Sequence, residues 1–399
     1  MNIAVVTPAW PQVSSPNGIV TYYSNLVPAL RALGHNVYII TFKSYENSSE
    51  VQLIDYGLSL LERFWCKFKQ KIEPGYKQYY VGSRGIKHAL KTICDKNSID
   101  IVQMEESFGW HFHVQKHFSF PIVLRLNGPY FLNTFEKTHS LQTRKRLARE
   151  RQGFKAADYV TAPSASALTL TREKYNCDWR HAEVRPNSMN AFELGERWSW
   201  DSIVENQILF VGRFDKHKGA DILLHAFFKI LQRYSDAKLI FVGPDNGLDE
   251  DGEKLSLKSF MEKHGYDSDT SREAVLFLGH QDRKTIEKYR RTSHITVVTS
   301  RYETFGNVGL EALASGSPVI CSSVGGFEEV VQHGKSGLLF ENENIEDLTA
   351  KIDSLLGSKE LAIKLSNGAI ERTREGYYPP DSAQALIDFF EKVLSLHNS

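Results

Sequence analysis

The sequence predicts an α/β protein made of two successive domains, each with a parallel sheet covered by helices. The chain has 399 residues, a length that suits two large domains. Two series of alternating strand and helix patterns follow one another, and such alternation is typical of parallel sheets. Between them, residues 187–202 are polar and only weakly periodic. We therefore expect domains at residues 1–195 and 203–380, and a final segment, 381–399, whose helix could pack back on the first domain.

The first series opens with a strand, a loop and a helix. Residues 3–7 are apolar, and residues 8–18 are rich in Pro, Ser and Gly. Apolar residues then recur at steps of three or four from residue 19 to residue 33, which predicts a helix with one apolar face. Further strands are predicted at 37–40, 101–103, 121–124 and 159–162.

The second series begins at residue 208. Strands are predicted at 208–211, 239–242, 275–278, 295–298 and 319–321, with helices at 222–231 and 286–291. Residues 245–271 are acidic and lack a strand pattern, which predicts an insertion or a loop at a sheet edge. After two prolines, residues 383–393 predict a last amphipathic helix. The simplest assembly is two Rossmann-like domains that face each other across a central cleft.

Composition excludes several classes of protein. Hydrophobic residues make up 41% and charged residues 24%, which is ordinary globular usage and excludes disorder. No apolar run approaches the roughly 20 residues that a membrane-spanning helix needs. The first residues have the pattern of a strand and not of an export signal. The four cysteines lie far apart and match no disulfide framework or zinc spacing. These features predict a cytoplasmic protein.

The zero net charge conceals an asymmetry between the two halves. Residues 1–200 carry 25 Lys and Arg against 17 Asp and Glu, which leaves 23 against 31 for residues 201–399, so the halves are +8 and −8. Different partners for the two halves would explain this split. Complementary docking of one half on the other would explain it equally well.

The loop after residues 208–211 combines glycine with two cations. Gly212 would let the backbone approach a ligand closely. Arg213 adds a planar guanidinium group with several donors, and Lys218 adds a compact ammonium group. Because ligands of open α/β sheets bind at the carboxyl ends of strands, this loop suits a diphosphate. A solvated charged loop is the alternative for either cation taken alone.

The loop after residues 295–298 precedes a predicted helix that starts near Asn307. Amides at such a helix start can bind an anion. Glu303 lies just before that start and Glu311 about one turn inside it, and each carboxylate could accept hydrogen bonds from hydroxyl groups. Hydroxyl-binding groups on both sides of an anion site fit a nucleotide sugar.

These motifs together resemble the retaining glycosyltransferases of family 4, which have the GT-B fold. The resemblance covers nearly the whole chain. It rests on Gly212-Arg213 with Lys218-Gly219, on residues 303–306 and 311–319, and on Gly325-Gly326 with Glu329 and residues 334–337. Weaker matches are residues 17–19, 158–160 with Ser164, and Pro186-Asn187.

The resemblance implies roles for the matching residues. Arg213 and Lys218 would bind the donor diphosphate and stabilise the leaving group, Glu303 would contact the transferred sugar, and Glu311 would hold the ribose. The backbone would contact the sugar and the phosphates of the donor at Gly212, Thr304, Phe305, Gly306, Asn307 and Val308. Gly18 in the other domain would approach the diphosphate. The base would be contacted by Gly279, His280 and Gln281.

The resemblance also implies the substrates. The donor would be a UDP- or GDP-sugar carrying a hexose, and the acceptor a glycan, a lipid-linked molecule or a small molecule. No metal or other cofactor is needed, because the two cations can stabilise the departing diphosphate. A sugar-nucleotide epimerase with the same fold and an inactive nucleotide-sugar-binding module remain the alternatives.

One position departs from the family pattern. Relatives often have a histidine after the strand at 121–124, whereas this chain has Asn127, which cannot exchange a proton near neutral pH. Asn127 could still bind a sugar hydroxyl. Glu105 and Glu106 also stand where relatives often have histidine, and they either face the acceptor or lie on the surface.

Several other signals are weaker. Asp267 and Asp269 resemble the metal-binding pair of another transferase fold, but no strand precedes them. His111, His113 and His117 lack a further ligand at zinc spacing, so we predict no metal site. Residues 63–80 mix basic and aromatic side chains. They could contact an anionic membrane surface at the inner face of the membrane or bind the acceptor, or they could form an ordinary helix.

Overall fold

The computed structural model describes residues 1–11, 17–46, 48–54, 60–133, 140–193 and 195–399. The chain forms two compact units. The first unit comprises residues 1–188 and 379–399, and the second comprises residues 189–378.

The sheet of the first unit has seven parallel strands in the order β3-β2-β1-β4-β5-β6-β7. Helices cover both of its faces, as the alternating pattern predicts. The strands are β1 (Asn2–Thr7), β2 (Asn36–Thr41), β3 (Val51–Leu53), β4 (Ile101–Glu105), β5 (Ile122–Arg125), β6 (Tyr159–Ala162) and β7 (His181–Val184). The helices are α1 (Gly18–Ala32), α2 (Leu60–Ile72), α3 (Gly82–Cys94), α4 (His111–Val114), α5 (Leu141–Ala156) and α6 (Ala165–Tyr175).

The main sheet of the second unit has six parallel strands in the order β12-β9-β8-β13-β14-β15. The strands of this sheet are β8 (Val204–Val211), β9 (Lys238–Val242), β12 (Val275–Gly279), β13 (Ser293–Val298), β14 (Val319–Ser322) and β15 (Leu338–Phe340), and a separate two-stranded sheet is formed by β10 (Leu248–Glu250) and β11 (Glu253–Leu255). The helices are α7 (Ala220–Arg233), α8 (Leu257–Lys263), α9 (Asp269–Ala274), α10 (Arg283–Thr292), α11 (Asn307–Ala314), α12 (Phe327–Val330), α13 (Ile345–Leu356) and α14 (Lys359–Gly376).

The last helix, α15 (Pro379–His397), belongs to the first unit. Its residues Leu386, Phe389 and Phe390 are buried in the apolar cluster that also holds Leu26 and Leu30 of α1. The apolar face predicted for the last helix therefore packs into the core of the first unit.

The division between the units falls earlier than the sequence pattern suggests. The predicted first domain runs to residue 195, whereas the second unit begins at Met189. Met189 and Phe192 pack into an apolar cluster of the second unit, and the Trp198 indole donates to the Ser293 carbonyl at 2.9 Å. Isolated apolar side chains in a polar segment decide which unit it joins, and they leave no periodic signal.

Of the two interpretations of residues 245–271, an insertion or a loop, the loop is wrong, because the segment between β9 and β12 contains regular structure. Strands β10 and β11 form an antiparallel hairpin in which Leu248 pairs with Leu255, and both leucines are buried. Helix α8 follows and buries Phe260. The apolar residues are too few and too widely spaced to give a strand pattern, yet each one is packed.

Among the residues that the structure describes, no helix combines the length and apolar character required to cross a membrane.

Candidate functional site

The topology of each sheet defines one edge where a ligand can bind. In an open parallel sheet, the crevice lies outside the carboxyl ends of the two strands at which the strand order reverses. In the second unit these strands are β8 and β13, and in the first unit they are β1 and β4. The loops after β8 and β13 are the two loops that the sequence motifs identify.

Glycines join the strand ends of the second unit into a continuous backbone edge. The Gly212 amide donates to the Val242 carbonyl, and the Gly243 amide donates to the Gly279 carbonyl, both at 2.9 Å. A Cβ atom on Gly243 would lie 2.0 Å from the Gly212 carbonyl oxygen, so no larger residue fits there. The predicted base-contact segment therefore starts at this edge. His280 is exposed, and the side-chain amide of Gln281 donates to the Leu278 carbonyl at 2.6 Å.

Lys218 and Glu303 form an ion pair that joins the two predicted loops. Their side chains are 17% and 15% exposed, so the pair is largely withdrawn from water. The Ser300 hydroxyl donates to the same Glu303 oxygen at 2.8 Å. The sequence predicts both residues separately, and the structure brings their side chains into contact.

Electrostatics keep this glutamate ionised. Burial alone would raise the pKa of the Glu303 carboxyl, but the charge and hydrogen bond of Lys218 outweigh it, with smaller contributions from His217 and Ser300. The pKa of Glu303 therefore lies below its ordinary value. The carboxylate is a hydrogen-bond acceptor at neutral pH and not a proton donor.

Arg213 occupies a different position in the same loop. Its Nε donates to Asp215 at 2.5 Å, and its side chain is 45% exposed. The other oxygen of Asp215 accepts the Lys218 amide at 2.8 Å. Asp215 thus orders the loop that carries both cations, and the Arg213 guanidinium stays accessible from solvent.

A buried ion pair that the sequence did not reveal supports these loops. Arg301 binds both oxygens of Asp221 at 2.8 Å and also donates to the Lys216 carbonyl at 2.6 Å. This bidentate pair fixes the start of α7 against the end of β13. Burial would raise the pKa of Asp221, but its hydrogen bonds and the charges of Arg301 and Lys216 hold that pKa below the ordinary value. The only sequence signal is an arginine next to the motif, which is too common to be informative.

The start of α11 is the second part of the site. Gly306, immediately before the helix, has a φ of +92°, and a Cβ atom there would lie 2.2 Å from the Phe327 ring. Thr304 and Phe305 are buried, and the Phe305 ring packs against Tyr377. Backbone in this stretch is therefore better placed than the Phe305 side chain to meet a ligand, while Asn307 and Val308 are half-buried.

Glu311 has a partner that the sequence reasoning missed. The buried Arg290 of α10 forms an ion pair with the Glu311 carboxylate, whose side chain is 29% exposed. Arg290 therefore holds the Glu311 side chain in place and leaves part of its carboxylate accessible. A single arginine at the end of a polar helix gives no signal of this contact.

In the first unit, Asn127 is held by a buried carboxylate. The two oxygens of Glu106 accept the backbone amides of Asn127 and Gly128 at 3.0 and 2.7 Å. Glu105 is also buried, and it accepts the Ser107 hydroxyl at 2.8 Å. The interpretation of Glu105 and Glu106 as surface residues is thus wrong, because both turn inward at the end of β4. Gly18 is exposed at the start of α1, where the Asn17 side chain caps the helix.

Burial also controls the ionisation of these glutamates. It raises the pKa of Glu105 to about 8, with a further contribution from the charge of Glu106, and it raises the pKa of Glu106 despite the amides that bind it. Glu150 of α5 accepts the Tyr130 backbone amide at 3.0 Å. Burial raises the pKa of Glu150 to about 7, and the charge of Glu106 adds to this rise. The first unit thus contains carboxyls that favour the protonated form.

The candidate metal ligands do not come together. Among the residues of the described ranges, no group of three or more His, Cys, Asp and Glu side chains has the arrangement of a metal site. Asp267 instead lies 3.8 Å from Arg272, and His111 is buried.

Two Rossmann-like units, each with its switch point at the carboxyl edge of a parallel sheet, define the GT-B class of proteins. The sucrose-phosphate synthase of Thermosynechococcus elongatus has this fold; it superposes with a TM-score of 0.76 over 99% of both chains at 21% identity. HepE of Anabaena, solved with UDP and glucose, superposes with a TM-score of 0.68 over 98% of this chain and 100% of its own, at 17% identity.

Family models identify the particular group. The model described as glycosyl transferases group 1 matches residues 200–372, and the model described as glycosyltransferase family 4 matches residues 16–191. The chain belongs to these glycosyltransferases. It is 30% identical over 249 residues to the N-acetyl-alpha-D-glucosaminyl L-malate synthase of Bacillus anthracis, an alignment that covers 61% of each protein. The chain spans less than two thirds of the length of the first curated relatives it matches.

Proposed function

We propose that this protein transfers a hexosyl unit from a UDP- or GDP-sugar to a glycan, a lipid-linked molecule or a small molecule. The transfer retains the configuration at the anomeric carbon and needs no metal. The observation that carries the proposal is the Lys218–Glu303 pair at the switch point of the second unit.

The charges at this switch point support a diphosphate donor. Arg213 and Lys218 would lie beside the donor phosphates, where negative charge increases as the bond from the anomeric carbon to the diphosphate oxygen breaks. Charge-assisted hydrogen bonds to such a leaving group stabilise the transition state more than the ground state. The acceptor oxygen forms its bond to the anomeric carbon on the same face, and its proton passes to the departing phosphate oxygen.

The two glutamates support the sugar and ribose assignments. Glu303 is ionised and can accept hydrogen bonds from hydroxyls of the transferred hexose. Glu311 is partly accessible on α11 and can accept those of the ribose. Asn127, fixed through its backbone by Glu106, offers an amide to a sugar hydroxyl on the acceptor side.

The named substrates of similar proteins are consistent with a nucleotide-sugar donor. HepE of Anabaena was solved with UDP and glucose, and a relative in Bacillus anthracis is named as a glucosaminyl malate synthase. These names concern those proteins. For this chain they favour a sugar nucleotide and leave its base and acceptor to experiment.

The test is turnover with a panel of UDP-, GDP- and ADP-sugars against glycan, polyprenyl-linked and small acceptors, with and without EDTA. We expect release of nucleoside diphosphate, an α-linked product from an α-linked donor, and full activity in EDTA. Loss of activity in EDTA with rescue by Mg²⁺ or Mn²⁺ would contradict the metal-free mechanism. Conversion of the donor to another sugar nucleotide would instead identify an epimerase, and nucleotide binding without any turnover would identify a binding module.

A further inference from the structure

Helix α2 presents an apolar face to solvent. Its six large apolar side chains are between 49% and 84% exposed, although most apolar side chains of this size in a folded domain are buried. They are Leu60, Leu61, Phe64, Trp65, Phe68 and Ile72, and we call this set the apolar face of α2. A contiguous exposed patch of this kind marks an interaction surface.

The opposite side of α2 attaches the helix to the first unit. Cys66 is the buried residue of the helix, and the Arg84 guanidinium binds Glu62 at 2.7 Å. Gln70 accepts the Lys77 amide at 2.9 Å. Residues 62, 66 and 70 are spaced by one turn and therefore lie on one side. An ordinary amphipathic surface helix turns its apolar side toward the protein core. In α2 the polar side faces the protein and the apolar side faces water.

Cations border this apolar face. At about 100° per residue, Lys67 and Lys71 lie near one border of the face and Lys69 lies near the other. The helix carries Arg63 and these three lysines against a single acid, Glu62. Lysines at the borders of an apolar face can extend to the level of lipid headgroups while the apolar side chains lie deeper.

We propose that the apolar face of α2 binds the interface of an anionic lipid bilayer, with Phe64, Trp65 and Phe68 among the acyl chains and the lysines at the phosphates. The charge of the surface favours a lipid over a second copy of this chain. Two copies joined through this face would bring the lysines of both helices together, and like charges repel in such a contact. An anionic bilayer complements them, and the basic excess of residues 1–200 acts in the same direction.

Co-sedimentation of the full chain with vesicles tests this proposal. The vesicles are phosphatidylcholine with one third phosphatidylglycerol, and phosphatidylcholine alone serves as the neutral comparison. We expect binding to the anionic vesicles that weakens with added salt and is much weaker on neutral ones. The joint variant Lys67→Gln, Lys69→Gln and Lys71→Gln should lower partition on the order of 100-fold, since each cation near an anionic surface is worth roughly fivefold.

Two further variants separate the contributions. Phe64→Ser, Trp65→Ser and Phe68→Ser together should abolish vesicle binding and leave the melting temperature near that of the wild type, because these side chains are exposed. The matched control is Lys91→Gln, Lys96→Gln and Lys155→Gln, which removes the same charge from exposed sites elsewhere in the first unit and should retain binding.

Equal partition of the wild type and the serine variant would overturn the proposal. So would equal losses in the lysine variant and its control. Sedimentation velocity without lipid supplies the remaining outcome: a wild-type dimer that the serine variant converts to a monomer, with neither binding vesicles, would assign the face to a second copy of the chain.

Discussion

At the residue scale, Lys218 and Arg213 differ in what holds them before a donor binds. Lys218 is largely buried and paired with Glu303, whereas Arg213 is half-exposed and paired with Asp215 in its own loop. Removing Lys218 therefore also leaves a buried carboxylate without its partner, which is costly in itself. Removing Arg213 takes away a cation with little rearrangement, so it gives the simpler test of charge at the diphosphate.

We predict that Arg213→Ala and Lys218→Ala each lower kcat more than they weaken donor binding. The lost transition-state stabilisation should be on the order of 2 to 4 kcal/mol, because the leaving diphosphate gains charge as the bond breaks. Steady-state kinetics and calorimetric nucleotide binding measure the two effects. Lys229→Ala, an exposed lysine paired with Glu346 on the same unit, is the control and should keep wild-type kinetics. A rise in KM alone, with kcat intact, would contradict the role of the diphosphate cations.

At the element scale, a glycine fixes the junction between β8, β13 and α7. Gly219 has a φ of +63°, and a Cβ atom there would lie 1.9 Å from the Thr299 carbonyl oxygen. The Thr299 hydroxyl in turn donates to the carbonyls of Lys218 and Gly219 at 3.0 and 2.8 Å. The end of β13 thus clamps the loop that carries Lys218, and only glycine permits this approach.

We predict that Gly219→Ala separates this loop from β13 and weakens both stability and nucleotide binding. The unfolding free energy should fall by more than the roughly 1 to 2 kcal/mol that a left-handed alanine costs, because the backbone must also move. Gly265→Ala is the matched control, because Gly265 has a φ of +72° and nothing within 4 Å of its added Cβ atom. Denaturant unfolding and calorimetry with UDP and GDP measure the effects. Equal losses in the two variants would mean that the clamp contributes nothing beyond the backbone conformation.

At the scale of the whole molecule, the two units hold buried carboxyls of opposite character. In the first unit, burial raises the pKa of Glu105 to about 8 and that of Glu150 to about 7. In the second unit, cations outweigh burial and lower the pKa of Glu303 and Asp221. At Glu105 and Glu150 the folded chain therefore binds more protons than the unfolded chain between about pH 4.3 and the raised values, and the stability that they contribute is lost as the pH rises through this range. Glu303 and Asp221 instead contribute stability that is lost as the pH falls below their ordinary values.

We predict that the stability contributed by Glu105 and Glu150 is lost as the pH rises from about 5 to 8. Up to about pH 6.5 this loss is opposed by His111, whose pKa is lowered by burial to about 4. Glu105→Gln, which cannot ionise, should reduce this loss by on the order of 3 kcal/mol, because its amide keeps the shape of the protonated acid. Urea unfolding followed at several pH values measures the slope. Glu173→Gln, at an exposed acid of the same unit, should leave the slope unchanged. A variant at Glu105 with the wild-type slope would show that Glu105 ionises normally in the folded chain.

Much of this architecture follows from local pattern in the sequence. Apolar runs alternating with helical periodicity determine two parallel sheets, and residues just after the strands determine where a ligand can bind, because carboxyl ends of parallel strands share one edge. The site residues Arg213, Lys218, Glu303 and Glu311 could be proposed for that reason. Each of these signals lies within a few residues of the chain.

Only the tertiary structure decided which side chains meet and which are withdrawn from water. Arg290 lies 21 residues from Glu311 and Arg301 lies 80 from Asp221, and neither pair has a local signature. The inward turn of Glu105 and Glu106 and the outward apolar face of α2 were equally undecided, because a sequence pattern defines the faces of an element and not what covers them. The sequence by itself determined the class of fold and the strand-end loops, whereas burial and partnership, which set charge states and exposed surfaces, depend on contacts between distant segments.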